Sequence, residues 1–447
     1  MLRSLSLANY RSWEHTGPIT LAPLTGLFGT NSSGKSSLLR FLLMLKQTTE
    51  SRDRGVQLEL GGRGSYVDLG SMTDVLFEHD TKRQLRFTLC WDEPSWTVEA
   101  PDQRFLQAVN DGPICFEARH SVAKKSARCD YMSYSVGDYR FGLDGTEGPR
   151  YQMLQEGHLL TRPAGRPANI GGPIKTYVFP DTARLSFTNA DFLQGFELSF
   201  ERTLASVQYL GPLREDPQRQ YTWSGGQPIG VGNRGELVVD ALLAARERGQ
   251  RVTVGPKSHR KLELYVAEWL QRLGLVHALK VSEVRDGSGI YQVLVQQSHR
   301  SAWVPITDVG FGVSQVLPVL TLCFAAPEGS TLILEQPEIH LHPKVQAGLA
   351  DVFIDAIKVR KIQIIVESHS EHFLQRLLRR VAESSFDVED SSLYFCDMGP
   401  SGSTLRHLDV DMFGQIRNWP PDFFGDPLGE SLATAAAGQQ KRLKSSA

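Results

Sequence analysis

The stretch that most constrains the fold is GTNSSGKSS, residues 29–37, which follows a short apolar run and precedes an apolar helical pattern. It fits the spacing G-x-x-x-x-G-K-[ST] through Gly29, Gly34, Lys35 and Ser36. Glycines let a backbone curl so that its N–H groups face bound phosphates, and the helix that begins at Lys35 adds the positive end of its dipole. This context predicts a strand, a phosphate-binding loop and a helix.

In a nucleotide-binding loop of this type, individual side chains make specific contacts with the phosphates and the metal ion. Lys35 is predicted to reach the β and γ phosphates of ATP, and Ser36 to ligate Mg²⁺. We therefore expect ATP and Mg²⁺ as the ligands of this chain. The residues predicted to hold the nucleotide here are Gly29, Thr30, Asn31, Ser32, Ser33, Gly34, Lys35, Ser36 and Ser37.

A second motif is TLILEQPEIHLHP, residues 331–343, in which an apolar strand ends at Glu335. A loop of the first kind requires an acid on a neighbouring strand, so Glu335 is predicted to hold Mg²⁺, directly or through water. The next position usually carries a carboxylate that orients the attacking water, but Gln336 cannot accept a proton. A missing general base costs about 10²–10⁴ in rate. Glu338 could substitute through a water or could cap the following turn, and both interpretations stay open.

A third buried strand, in IIVESHS, ends just before His369. A histidine at this place can hydrogen-bond the γ-phosphate and report its presence. With Glu335, Gln336 and Glu338, it completes the set of predicted catalytic positions.

Two glycine-rich segments compete for a further contact with the γ-phosphate. WSGGQP, residues 223–228, contains S-G-G-Q, but a proline follows at once and no apolar helix begins there. DVGFGVSQVLPVL, residues 308–320, does open an apolar helix, and a helix N-terminus presents the N–H groups and the dipole that a phosphate needs. We therefore choose the second segment, with the binding residues Gly310, Gly312, Ser314 and Gln315.

The rest of the chain predicts an α/β protein. Residues 78–205 alternate apolar and polar positions with turns between them, which favours an antiparallel β-lobe, and helical patterns dominate residues 206–287. Strands and helices then alternate as in a parallel sheet. We predict five parts: the N-terminal half of an ATPase head (1–77), the β-lobe (78–205), a helical arm (206–287), the C-terminal half of the head (288–400), and a small C-terminal domain with a flexible tail (401–447).

Composition narrows the class of protein. The chain has 447 residues, 41% of them hydrophobic, which is typical of globular proteins with a sizeable core. The net charge of −2 gives no global reason to expect nucleic acid. Five cysteines without metal-ligand spacing indicate free thiols in a reducing cytosol. The most apolar run, Val316–Ala326, is too short to span a bilayer, so we expect a buried helix and a cytoplasmic protein that meets no membrane.

Together these motifs resemble the ABC-type ATPases of the SMC, RecF and OLD (overcoming lysogenisation defect) class. LANYRSW is similar to an N-terminal strand of that class, which implies that Arg11 lies near the nucleotide. EQPEIHLHP and ESHSEHFL resemble its Walker B and switch-histidine segments. FGQIRNWPPDFF resembles a small C-terminal domain of unknown function. The resemblance covers roughly residues 1–77 and 300–400 and implies a P-loop head with a mixed, mainly parallel sheet.

The resemblance also implies how such a chain works. Members of this class act as homodimers or larger oligomers, with each site pairing one subunit's P-loop with the other's signature helix. They change an assembly on DNA or control an effector, which suggests anti-phage defence or DNA repair. The short stretch after His369 leaves no room for the Toprim nuclease of OLD proteins, so we expect a separate effector, a nuclease or a toxin. Alternatives are a non-hydrolysing scaffold assembled by ATP and the ATPase subunit of a transporter.

DNA remains a possible partner through a local patch of basic residues. Acidic residues lie between them, which favours a solvated face over contacts with phosphates. The basic positions are Arg214, Arg219, Arg234, Arg246, Arg248, Arg251, Lys257, Arg260 and Lys261.

Overall fold

The computed structural model describes residues 1–420 except residues 63, 125, 147, 149, 167–168 and 256–257. The first 205 residues contain, in chain order, β1 (Leu2–Tyr10), β2 (Trp13–Thr20), β3 (Leu24–Gly29), α1 (Lys35–Glu50), α2 (Met72–Val75), β4 (Leu85–Trp91), α3 (Gln103–Asp111), β5 (Ile114–Ala123), β6 (Ser126–Val136), β7 (Tyr139–Asp144), β8 (Gln152–Glu156), α4 (Asp181–Ser186) and α5 (Leu193–Ala205). The remainder contains β9 (Val207–Leu210), β10 (Tyr221–Thr222), α6 (Val238–Glu247), β11 (Arg251–Gly255), β12 (Ser258–Lys261), α7 (Leu262–Arg272), β13 (Ala278–Glu283), β14 (Ile290–Gln296), β15 (Val304–Pro305), α8 (Gly312–Ala325), β16 (Thr331–Glu335), α9 (Pro343–Arg360), β17 (Gln363–Glu367), α10 (Glu371–Ala382), β18 (Ser391–Gly399) and β19 (Gly402–His407).

The central sheet has the strand order β19-β18-β3-β17-β16-β9 and is parallel except at the β18–β19 hairpin. Its strands β16 and β17 are buried along their whole length, as the continuous apolar runs predict for a sheet covered on both faces. Ile333 and Ile365 pack on one face in the cluster that contains α1. Leu332 and Leu334 pack on the other face with α8 and α9. This confirms the predicted α/β head.

The parallel order brings three strand ends to one edge of the central sheet. β17 lies between β3 and β16, and its last residue Glu367 pairs in register with Leu27 on one side and Glu335 on the other. Ligands of open α/β sheets bind at this carboxyl edge. The loop after β3 and the two glutamates therefore share one location.

The predicted β-lobe forms an antiparallel sheet with the order β2-β1-β4-β5-β6-β7-β8. Its first two strands come from the N-terminal segment, because β1 pairs with β4 over residues 2–8. The proposed boundary at residue 77 therefore cuts through this sheet. Only β3 of the N-terminal strands joins the central sheet.

The segment expected to be a helical arm, residues 206–287, is more mixed than its sequence suggested. It contains α6 and α7, but its first strand β9 pairs with β16 in the central sheet, and β11 and β12 form a hairpin. The short run VQYL follows a helical pattern without a break, which hid this strand. At the other end, the boundary at residue 400 falls inside the β18–β19 hairpin, and the predicted tail from residue 421 lies outside the described residues.

The expectation of five free thiols is wrong for two of them. Cys90 on β4 and Cys115 on β5 are paired in register and form a disulfide. Cys129, Cys323 and Cys396 are free and buried. Spacing along the chain carries no signal for this disulfide, because the register between two strands brings the pair together.

The apolar run Val316–Ala326 forms most of the buried helix α8, as predicted. Within the described ranges, none of the helices combines the length and the hydrophobicity needed to cross a bilayer.

Candidate functional site

The loop between β3 and α1 is built on two glycines with positive φ angles. Gly29 has a φ of 132°, and a Cβ there would lie 1.9 Å from the carbonyl oxygen of Cys396. Gly34 has a φ of 88°, and a Cβ there would meet the indole nitrogen of Trp13 at 2.8 Å. Neither position admits a side chain, which explains both glycines of the motif in physical terms.

The ammonium group of Lys35 is folded into this loop. It is buried, and its Nζ donates to the carbonyl oxygens of Gly29 at 3.1 Å and Thr30 at 2.6 Å. Burial lowers the pKa of Lys35, and the negative charge of Glu367 opposes that shift. Phosphate oxygens bound at the mouth of the loop would replace the carbonyls as partners of the ammonium.

Ser36 links the loop to the end of β17. Its hydroxyl donates to Oε1 of Glu367 at 3.0 Å, and Glu367 is only 2% exposed. Burial raises the pKa of Glu367, while the hydrogen bond from Ser36 and the charge of Lys35 oppose the shift. Oε2 of Glu367 has no hydrogen-bond partner within the described part of the chain. Our sequence reasoning missed this residue, although it ends an apolar strand as Glu335 does.

Glu335 lies beside Glu367 but is held from the other side. The hydroxyl of Tyr209, on β9, donates to Oε1 of Glu335 at 3.1 Å. Burial raises the pKa of Glu335 to about 7, and the neighbouring charge of Glu367 adds to the shift. Two buried carboxylates side by side disfavour each other's ionisation, which a cation between them would relieve.

An open cavity of about 560 Å³ lies at the mouth of the loop. It brings together many residues predicted from the sequence: Arg11, Asn31, Ser32, Ser33, Gly34, Lys35, Ser36, Ser37, Gln336 and His369. Three further lining residues were not predicted, namely Ser12, Arg40 and Glu367. Gly29, Thr30, Glu335 and Glu338 do not line it, although Gly29 and Thr30 hold Lys35.

Gln336 and His369 approach the cavity from the ends of β16 and β17. Gln336 adopts a φ of 45°, its backbone N–H donates to the Glu367 carbonyl at 2.9 Å, and its side chain hydrogen-bonds the Glu367 carboxylate. The His369 ring is half-buried and hydrogen-bonds the backbone of Gly29. Burial lowers the pKa of His369, and the charge of Lys35 adds to that shift, so the neutral ring is favoured.

Glu338 has a bridging role that neither open interpretation described. It is buried, and its Oε1 accepts from the hydroxyl of Ser368 at 2.9 Å and from the backbone N–H of His369 at 2.6 Å. It therefore fixes the start of the segment that carries His369. This contact joins the ends of two neighbouring strands, so it could not be read from the turn after Glu338 itself.

The glycine-rich segment at the start of α8 lies apart from this cavity. Gly310, Gly312, Ser314 and Gln315 are absent from its lining. Gly310 is exposed, and a Cβ there would meet nothing within 4 Å. The competing S-G-G-Q segment sits in a loop between β10 and α6, where the Trp223 indole donates to the Gly226 carbonyl at 3.0 Å.

The basic cluster does not form one exposed patch. Arg214 is only 7% exposed, and burial lowers its pKa to about 10 against the charges of Tyr209 and Glu335. It therefore lies in the interior near Tyr209 and Glu335, and the expectation that it belongs to a solvated face is wrong. Arg219 pairs with Asp308 at 2.7 Å, and Arg246 with Glu263 at 2.5 Å. Lys257 lies outside the described residues.

The donor set fits magnesium bound together with a nucleotide. Within the described ranges, no group of three or more His, Cys, Asp or Glu residues could hold a metal by itself. Mg²⁺ in P-loop sites needs less, because nucleotide oxygens and water supply most of its ligands. The Ser36 hydroxyl and the Glu335 carboxylate are suitable oxygens at the carboxyl edge of the sheet.

Comparisons with known proteins agree with these motifs. Residues 185–375 match the family model described as "AAA domain, putative AbiEii toxin, Type IV TA system", and residues 387–432 match "Protein of unknown function (DUF3696)". The chain is 21% identical over 391 residues to the OLD nuclease of Thermus scotoductus. That alignment covers 83% of this chain and 60% of the relative, so the chain spans about three fifths of the curated protein it matches.

Solved structures similar to this chain include heads of SMC proteins. One is the SmcHead bound to the C-winged helix domain of ScpA, with a TM-score of 0.48, 11% identity, and coverage of 92% of this chain and 98% of the other. Another is the SMC head domain from Thermotoga maritima, with a TM-score of 0.42, 11% identity, and coverage of 92% and 99%.

Proposed function

We propose that the chain is an ATPase of the OLD/SMC-like class, a slowly hydrolysing ATP switch that works as a dimer; the matched AAA family model and the OLD relative support this class. The observation that carries this proposal is the cavity beside Lys35. It combines a buried ammonium group, a magnesium-type hydroxyl on Ser36 and a histidine, but it has an amide at Gln336 in place of an acid. The cavity is therefore suited to binding ATP, whereas the amide at residue 336 cannot accept a proton from the attacking water.

Mg²⁺ would be held by Ser36 and Glu335, and it would neutralise charge on the β and γ phosphates. The chain's own residues bind and orient the nucleotide. The N–H groups of the loop and the ammonium of Lys35 contact phosphates, Arg11 and Arg40 add positive charge at the cavity wall, and His369 contacts the terminal phosphate.

A second copy of the chain would complete the site. The segment from Gly310 to Gly312 at the start of α8 does not line the cavity of its own chain, and within the described residues no side chain caps the N–H groups of the first turn. We propose that this helix end meets the γ-phosphate held by the partner copy. ATP would then hold two copies together until it is hydrolysed.

Binding and hydrolysis of ATP would control the activity of a separate effector protein, a nuclease or a toxin, in anti-phage defence or DNA repair. The names of the matched family and relative, a toxin-system AAA domain and an OLD nuclease, motivate this part of the proposal. DNA is a further possible partner, and we propose a cytoplasmic location, where ATP is abundant.

A scaffold that binds ATP and never hydrolyses it is the second candidate, favoured by the amide at Gln336. Phosphate release by the wild-type chain separates the two. Release above the level of a Lys35→Ala variant supports the switch, and release at that level together with ATP-dependent pairing supports the scaffold.

The dimer is tested by adding a carboxylate to the start of α8. Gly310→Glu is expected to leave the fold and the binding of ATP to the monomer intact, because a side chain at this position enters open space. It should weaken ATP-dependent pairing on the order of 10²-fold, since the new charge would face the γ-phosphate of the partner. Light scattering after size-exclusion chromatography, with and without Mg–ATP, measures the effect.

Gly226→Glu is the matched control, since a Cβ there meets only the Trp223 indole nitrogen at 4.0 Å and the residue belongs to the competing S-G-G-Q segment. It should pair like the wild type. If Gly226→Glu prevents pairing and Gly310→Glu does not, the assignment of the phosphate-contacting segment is reversed. If both variants pair normally, the dimer uses another surface.

A further inference from the structure

Two glutamates end neighbouring strands at the nucleotide edge of the sheet. Glu335 and Glu367 are paired in parallel register, so their side chains leave the same face of the sheet. Two residues back along each strand, Ile333 and Ile365 pack in the cluster that contains α1. Both carboxylates therefore point toward α1 and the loop that precedes it.

Only one of these carboxylates is open to the cavity. Glu335 accepts from the Tyr209 hydroxyl and does not line the cavity. Glu367 does line it, although the residue is 2% exposed. Glu335 is thus held by a tyrosine on the side away from the cavity, whereas Glu367 forms part of the cavity wall.

The two oxygens of Glu367 have different surroundings. Oε1 accepts from the Ser36 hydroxyl at 3.0 Å, and the carboxylate also bonds the side chain of Gln336. Oε2 is buried and has no partner in the part of the chain that the structure describes. A buried acceptor without a partner is unfavourable, so a donor supplied by the bound state would remove that cost.

We propose that Glu367 is the general base of ATP hydrolysis and replaces the carboxylate that position 336 lacks. The inference rests on the proposed function, because it needs ATP in the cavity. The water oxygen forms a bond to the γ-phosphorus while its proton passes to Oε2 of Glu367. The bond between the γ-phosphorus and the β–γ bridging oxygen breaks, ADP leaves with that oxygen, and the proton later returns to solvent with the release of phosphate.

The neighbours of Glu367 hold it for this step. The Ser36 hydroxyl donates to Oε1, and the same hydroxyl oxygen would ligate Mg²⁺. Oε2 of Glu367 has no partner within the described residues and is the oxygen assigned to the water. The Gln336 side chain, at the place where an acid is usual, bonds the same carboxylate and fixes its plane. A base at the end of β17 does not occupy the usual position of the catalytic carboxylate, residue 336, and we expect it to act more slowly. This agrees with the slow turnover proposed above.

The test uses the full chain and follows phosphate release over a range of ATP and Mg²⁺ concentrations. Glu367→Gln is expected to lower kcat by about 10²-fold, with KM and the half-saturating Mg²⁺ concentration within about threefold of wild type. ATP-dependent pairing should persist and last longer. Glu197→Gln, which neutralises a buried glutamate on α5, controls for the loss of a buried charge and should hydrolyse as the wild type does.

A double variant that moves the carboxylate from residue 367 to residue 336 separates a catalytic role of Glu367 from a purely structural one. Gln336→Glu combined with Glu367→Gln returns a carboxylate to the usual position and should hydrolyse at least about tenfold faster than Glu367→Gln alone. Glu367→Asp serves if the Gln variant does not fold. It keeps the charge but withdraws the oxygens, so kcat should fall with an unchanged Mg²⁺ requirement.

Three results would overturn the base assignment. The first is turnover of Glu367→Gln at the wild-type level. The second is recovery of its kcat by excess Mg²⁺, which would make Glu367 a metal-facing residue. The third is a double variant, Gln336→Glu with Glu367→Gln, that is as slow as Glu367→Gln alone. Failure of the proposed function is distinct, because the wild type itself would then neither bind ATP nor release phosphate.

Discussion

Lys35→Ala is expected to abolish ATP binding at concentrations that saturate the wild type. A hydrogen bond to a charged group contributes about 1.5–3 kcal/mol, and Lys35 is positioned to make such bonds to both the β and the γ phosphate. Loss of two of them corresponds to about 10²–10⁴ in affinity. Pairing and phosphate release should disappear with binding. Isothermal titration with ATP and Mg²⁺ measures the affinity directly.

The fold should tolerate this substitution. Burial lowers the pKa of Lys35, which reflects the desolvation cost of its ammonium group. Its partners are the carbonyls of Gly29 and Thr30 beside an open cavity, where water can take the place of the ammonium. The melting temperature of Lys35→Ala should therefore stay close to that of the wild type.

Lys46→Ala is the matched control, because Lys46 is a second buried lysine on α1 whose Nζ donates to the Leu204 carbonyl at 3.3 Å, away from the cavity. It should bind ATP like the wild type even if it melts earlier. Equal ATP affinity in Lys35→Ala and the wild type would remove the loop from the site and with it the whole assignment.

The nucleotide loop could be predicted because all of its determinants are contiguous. Gly29, Gly34 and Lys35 lie within seven residues, and the same short stretch specifies the strand, the turn and the helix start. The need for Gly29 and Gly34 follows from the backbone conformation that a phosphate-binding loop requires. Glu335 is predicted as a metal ligand because a loop of this kind requires an acid on a neighbouring strand, which the local sequence supplies.

Other parts of the site depend on pairing between distant segments. Tyr209 holds Glu335 only because β9 adds to the edge of the sheet beside β16, across more than a hundred residues. The sequence predicts Arg214 as a surface cation, yet the loop that follows β9 places it in the interior. Glu367 had a local signal, the end of an apolar strand, but its importance comes from the register that sets it between Glu335 and the loop. Strand register depends on the assembled sheet and cannot be predicted from the spacing of residues along the chain.

Gln336→Glu is expected to raise turnover by about 10²-fold, at the lower end of the gain that a positioned general base provides. Glutamate matches glutamine in size, so the backbone at residue 336, with its φ of 45°, need not change. The new carboxylate would stand beside Glu367, and repulsion between the two would raise their pKa values toward the range in which a base works well. Faster hydrolysis should also shorten the life of the ATP-dependent pair.

Single-turnover phosphate release and the decay of the pair after ATP is removed measure these two effects of Gln336→Glu. Gln336→Leu is the control, since it is of similar size and cannot accept a proton, so it should not accelerate hydrolysis. An accelerated Glu variant with a short-lived pair would show that the amide at 336 sets how long two copies stay together. A Glu variant no faster than the wild type would place residue 336 away from the attacking water, and the slow step would then lie in the opening of the pair.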